Sequence, residues 1–216
     1  MKHKLTLLLG LFFLLSAFKA DKPLITIFMI GDSTMANKPL TGGNPERGWG
    51  QMLPGYLSEE IRVDNHAVNG RSSKSFIDEG RWETVISQVK KGDYVFIQFG
   101  HNDEKSDPKR YTAPGSTFDE NLKRFVNETR AKGGIPVLFN SIVRRNFGAA
   151  DGNAVAQAIS QDDIQKGVNP DAKREASEQP AVAGGDKLID THGAYLDSPR
   201  NVATELGVAF VDMNKI

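Results

Sequence analysis

The 216-residue chain contains no cysteine. That excludes disulfide stapling, a thiol nucleophile, a cysteine-ligated metal and a cysteine-borne lipid anchor. It has no excess of charge of either sign, since 27 Lys and Arg balance 27 Asp and Glu. Nucleic-acid binders ordinarily show a basic bias, so no nucleic-acid partner is expected. Internal repeats and low-complexity tracts are absent, and the length suits one domain with a sizeable core of its own.

The one long apolar run is at the N-terminus. Met1-Lys2-His3-Lys4 is a short basic head, Leu5 to Leu15 is almost wholly apolar, and Ser16 to Ala20 offers small residues for cleavage. The apolar core is too short to span a bilayer as an ordinary helix, and the pattern is that of a secretory signal peptide. Residues 1–20 are therefore set apart from the fold as a signal peptide, cut after Ala17 or Ala20. Residues 21–216 are read as a single domain, secreted or periplasmic and without membrane attachment after cleavage.

Beyond that segment, strands alternate with amphipathic helices. The apolar run Leu24–Ile30 reads as a first strand. Trp49, Met52, Leu53, Tyr56 and Leu57 share a helical face, with Pro54 early in the helix where a missing N–H costs least. A weaker strand covers Arg62–Val68. Trp82, Val85, Ile86 and Val89 mark a second helix, ended by Lys90-Lys91-Gly92. Tyr94–Phe99 is a third strand, and Phe118, Leu122, Phe125 and Val126 form the next helical face. Ile135–Asn140 is a fourth strand, Tyr195–Leu206 a modest helix and Val208–Val211 a fifth strand. Residues 144–187, polar and poor in large apolar side chains, read as a surface insertion. Alternation at this spacing implies a parallel sheet covered on both faces. Ligands of such sheets sit beyond the carboxyl ends of the strands, at the topological switch point.

Three loops at those strand ends carry chemistry: Gly31-Asp32-Ser33-Thr34, Val68-Asn69-Gly70-Arg71-Ser72 and Gly100-His101-Asn102-Asp103. Acyl transfer needs a hydroxyl nucleophile, a base, and preorganised donors for the oxygen that becomes negative. Ser33 sits where a strand passes into a loop, so its backbone N–H can face that oxygen. Gly70, lacking a side chain, lets its N–H approach closely. Asn102 brings a neutral amide donor. Each loop alone is a weak signal; the three at one edge are a strong one.

Together GDSTMA (31–36), RGWGQ (47–51), AVNGRSSKSF (67–76), EGRW (79–82) and QFGHND (98–103) resemble the SGNH or GDSL hydrolases, and within them the rhamnogalacturonan acetylesterase branch. The resemblance runs over essentially the whole mature chain. It implies a three-layer α/β/α fold with a flavodoxin-like five-stranded parallel sheet. It implies Ser33 as nucleophile, with Ser33, Gly70 and Asn102 as oxyanion donors, and the removal of O-acetyl groups from a pectin-type polysaccharide or oligosaccharide without metal or cofactor.

Other residues have blander readings. Asp32 shapes the turn, His66 packs in its strand, and His101 is a structural neighbour of Asn102. Trp49 and Trp82 fit core faces, although Trp49 could line a sugar site. Arg71 and Lys74 could meet the carboxylates of an acidic sugar chain or lie solvated on the surface. Asn127-Glu128-Thr129 matches a glycosylation sequon but falls in a predicted helix.

The family supplies its catalytic Asp and His in a D-x-x-H motif after the last strand, and the chain shows none before Ile216. The expectation is that the chain is an incomplete copy whose catalytic pair lies beyond Ile216. The alternative base is His192, two residues after Asp190 and so on the same side of an extended segment. Two other functions stay open: a different SGNH activity (xylan acetylesterase, lipase or thioesterase), and a non-catalytic glycan-binding remnant.

Overall fold

A computed structural model of the chain describes residues 24–144, 147–148, 187–188 and 192–215. The expected signal peptide and nearly all of the expected 144–187 insertion lie outside the described residues. At the base of that segment, β5 (Phe147–Gly148) pairs antiparallel with β6 (Lys187–Leu188).

The main sheet is parallel and five-stranded. Its strands are β1 (Ile25–Gly31), β2 (Ile61–Asn65), β3 (Tyr94–Gln98), β4 (Ile135–Phe139) and β7 (Ala209–Val211), in the order β2-β1-β3-β4-β7. This is the flavodoxin-like arrangement. From β1 the chain moves outward to β2, then crosses back to β3 on the other side. The switch point therefore lies between the carboxyl ends of β1 and β3.

Side chains of β1 alternate between two apolar clusters, as a central strand requires. Phe28 and Ile30 join the larger one, with Phe76, Trp82, Phe99, Leu122, Phe125 and Leu138. Ile27 and Met29 join the smaller one, with Met35, Ala36 and Ala67. Helices α2 (Ser73–Asp78), α3 (Arg81–Ile86), α4 (Thr117–Ala131) and α5 (Asp197–Leu206) cover the larger cluster. The ring of Phe125 lies 4.9 Å from that of Trp82 and 5.6 Å from that of Phe99. In α4 the acidic Asp119 and Glu120 occupy the first turn and Arg130 the last, complementing the helix dipole.

Several elements differ from the sequence expectation, and the helix expected to run through Val89 to a stop at Lys90-Lys91-Gly92 ends at Ile86, capped by Ser87. The helix expected over 49–57 is a four-residue α1 (Trp49–Met52) that tightens into a 3₁₀ turn at Leu53–Tyr56, with Pro54 in that turn. Strand β2 stops at Asn65, although His66 N–H still donates to Met29 O at 2.8 Å and Val68 N–H to Gly31 O at 3.0 Å. The chain thus stays against β1 while turning toward Gly70. Helix α2 was not expected at all, because it is six residues long and its apolar residues are too few to show a period.

Candidate active site

Strand β1 ends by turning. The backbone N–H groups of Met35 and Ala36 both donate to Asp32 O, at 3.3 and 3.0 Å. Asp32 Oδ1 accepts from Thr34 N–H at 2.9 Å and lies 2.8 Å from Thr34 Oγ1. The aspartate thus closes the turn on its own backbone, as this residue does in tight loops. Ser33, at the centre of the turn, is half-buried.

The RGWG segment packs directly on this turn. Trp49 N–H donates to Thr34 O at 3.0 Å. A Cβ on Gly48 would stand 2.0 Å from Ala36 O, so only glycine permits the approach. Trp49 Nε1–H donates to Gln98 Oε1 at 2.8 Å, and its ring lies 5.3 Å from that of Phe139. Gln98, fully buried at the end of β3, also faces Thr34 Oγ1 at 3.1 Å. Sequence reasoning missed Gln98, which reads as one more residue of an apolar strand. It bridges the GDST turn, the tryptophan and, through Nε2, Asn140 O at 3.3 Å.

The second and third loops are tied to each other. Gly70 has φ 75°, a left-handed conformation that disfavours any side chain. Asn102, buried, donates through Nδ2 to Arg71 O at 3.1 Å. An amide nitrogen has two hydrogens, so one anchors the loop and the other is left for a ligand. Asp103 is wholly buried behind it. It accepts from Ser73 N–H at 3.0 Å, Ser73 Oγ at 2.5 Å, Thr112 Oγ1 at 2.8 Å and Gly100 N–H at 3.1 Å. Burial pushes this carboxyl up to about 7, against the pull of the Ser73 and Thr112 donors. Among the described residues no protein acceptor engages the backbone N–H of Ser33 or of Gly70. The carboxyl edge of the sheet thus carries two uncommitted backbone donors and one uncommitted amide hydrogen, on the three loops that the sequence singled out.

The three histidines among the described residues are otherwise engaged. His192, with 1% of its side chain exposed, places Nδ1 2.9 Å from Glu104 Oε2 and Nε2 3.2 Å from Ile142 O. Both ring nitrogens thus face oxygens of Glu104 and Ile142, which hold the ring against the rim loop. His101 stacks on it, ring centroids 4.5 Å apart, and donates through Nε2 to the same Ile142 O at 3.0 Å. Its Nδ1 lies 3.9 Å from Asp32 Oδ2. Burial holds His101 below the usual imidazole range; Asp32 opposes this, while His192 and Arg144 add to it. Arg144 completes the cluster, donating to Glu104 Oε1 at 2.5 Å and to His101 O at 2.9 Å. His66 lies in the β2 connection, 3.1 Å from Asp64 Oδ1. Arg71 pairs with Glu79 and Lys74 with Asp78, so both are neutralised by near neighbours. Thr129 of the sequon is buried and bonds back to Phe125 O at 2.7 Å.

The GDSL-like lipase/acylhydrolase family model matches residues 29–216, and the chain belongs to that family. It is similar to the rhamnogalacturonan acetylesterase RhgT of Bacillus subtilis (strain 168), 43% identical over 123 residues that cover 57% of this chain and 51% of the relative. It is also similar to the probable rhamnogalacturonan acetylesterase YesY of the same organism, 38% identical over 122 residues, 56% of this chain and 55% of the relative. The chain spans about half the length of these curated relatives. Among solved structures, the YxiM protein of Bacillus subtilis superposes with a TM-score of 0.62 at 24% identity, covering 88% of this chain and 44% of that one. That likeness concerns the α/β fold.

Proposed function

We propose that the protein is a secreted carbohydrate esterase that removes O-acetyl groups from a pectin-type polysaccharide through a serine acyl-enzyme. The observation that carries the reading is the uncommitted N–H of Ser33, the uncommitted N–H of Gly70 and the second amide hydrogen of Asn102 at one sheet edge, around the turn that presents Ser33. Ser33 Oγ attacks the acetyl carbonyl, and the oxyanion forms against those three donors. The sugar hydroxyl leaves, and water then releases acetate from the serine.

The serine proton passes to an imidazole supported by an aspartate, which returns it to the leaving sugar oxygen. The two acceptors around His192 support assigning that residue to holding the rim loop. The similarity to RhgT and YesY supports acetylated rhamnogalacturonan as substrate. The basic head and apolar run of residues 1–20 support export.

Ser33→Ala in the full-length protein is expected to lower acetate release from acetylated rhamnogalacturonan by at least about a thousandfold, the range seen when an activated nucleophile is removed. Enzymatic acetate assay reads this directly. Turnover within tenfold of wild type would overturn the mechanism.

A further inference from the structure

Lys38 stands beside the site and has no part in the acyl transfer described above. It is only 8% exposed. Its ammonium donates to Asn69 Oδ1 at 3.1 Å, a neutral acceptor, and among the described residues no carboxylate pairs with it. An ammonium carries three hydrogens, and burying a cation without a counter-charge is costly. The position is nevertheless built: Lys38 N–H donates to Gln51 Oε1 at 3.0 Å, and Gln51 Nε2 donates to Lys38 O at 3.1 Å. A two-bond amide clamp fixes the backbone from which this cation extends.

A cavity of about 380 Å³ lies against Lys38, lined also by Asn37, Gln51, Asn65, Leu40 and Pro54. No carboxylate lines it, and its walls mix amides with apolar surface, as a sugar ring requires. Lys38 links this cavity to the candidate site, because it lines the cavity and its ammonium reaches Asn69, which directly precedes Gly70. The cations nearest in sequence to that loop, Arg71 and Lys74, are neutralised by Glu79 and Asp78, whereas Lys38 is not.

We propose that Lys38 binds the carboxylate of a uronic acid unit neighbouring the acetylated sugar. The inference rests on the reading of the substrate as an acidic pectin-type chain. The buried ammonium then selects acidic over neutral polysaccharide, and the cavity beside it holds the ring that bears the carboxylate.

Binding tests this apart from catalysis. Deacetylated rhamnogalacturonan oligosaccharide, and the same oligosaccharide with its carboxyl groups reduced to alcohols, are titrated into the full-length protein by calorimetry. Wild type is expected to bind the acidic form at least about tenfold more tightly, the scale of one charge-assisted hydrogen bond. Lys38→Met is expected to abolish that preference, and Lys38→Arg to keep most of it, which separates loss of charge from loss of fold. The proposal is overturned if wild type does not distinguish the two sugars, if it binds neither, or if folded Lys38→Met still prefers the acidic one. Failure to release acetate from the acetylated polymer would sink the esterase reading instead, and leaves the binding measurement intact.

Discussion

At the scale of single residues, Asp103 shows how a buried polar group is made tolerable. Its carboxyl is ringed by donors from three segments, which hold the GHND loop against α2 and against Thr112. Asp103→Asn puts an NH₂ among those donors and is expected to destabilise the protein by about 2 kcal/mol, the cost of leaving buried groups mispaired. The pH dependence has a defined sign. A folded-state value raised to about 7 means that the fold favours the protonated acid. This contribution is full below the ordinary carboxylate value and is lost as the pH rises through about 7. The stability gap between wild type and Asp103→Asn in urea melts should therefore shrink from pH 4 to pH 8. A gap that widens would mean that the carboxylate is held ionised by its donors.

At the scale of elements, α2 carries the segment after Gly70 into the larger core, and its start is a reciprocal box. Ser72 Oγ accepts from Ser75 N–H at 3.1 Å, and Ser75 Oγ accepts from Ser72 N–H at 2.9 Å. A six-residue helix cannot sustain itself by propensity, so the box and Phe76 in the core hold it. Ser72→Ala and Ser75→Ala should each cost about 1 kcal/mol, and the double variant clearly less than their sum, because either change breaks the same box. Full additivity in chemical denaturation would show that the two serines act separately.

The same element shows where the sequence was legible. Strands β1 and β3 and helix α4 are long enough for their apolar period to be read, and each begins and ends within a residue or two of expectation, α4 stopping just before Gly133-Gly134. Helix α2 was missed because its start signal is S-x-x-S, without the Glu or Gln of the usual box. Ser33, Gly70 and Asn102 stood out because they close strands. Asp103 and Gln98 did not, since the contacts that reveal them, to Ser73 and to Trp49, come from residues 30 and 49 positions away in the chain. Lys38 was passed over for the opposite reason: a lysine in a polar loop reads as solvated, and only its burial distinguishes it.

At the scale of the molecule, the sheet separates two cores that share strands but not contacts. Ile27 faces the smaller cluster and Ile30 the larger one, three positions apart on β1 and on opposite faces. Removing one methyl from either should cost about 1 kcal/mol. Three residues of strand put the two sites on the order of 10 Å apart, with a sheet between them. Ile27→Val and Ile30→Val are therefore expected to add to within about 0.5 kcal/mol in a double-mutant cycle. The consequence reaches the candidate site, because β1 is the strand from which Ser33 emerges. If the two faces are independent, strain in one core is not relayed through β1 to the other, and the GDST turn is held by its own bonds to Asp32, Trp49 and Gln98. A coupling above about 1 kcal/mol, beyond the scatter expected for independent sites, would show instead that β1 shifts as a unit. The position of Ser33 would then depend on packing on both faces of the sheet.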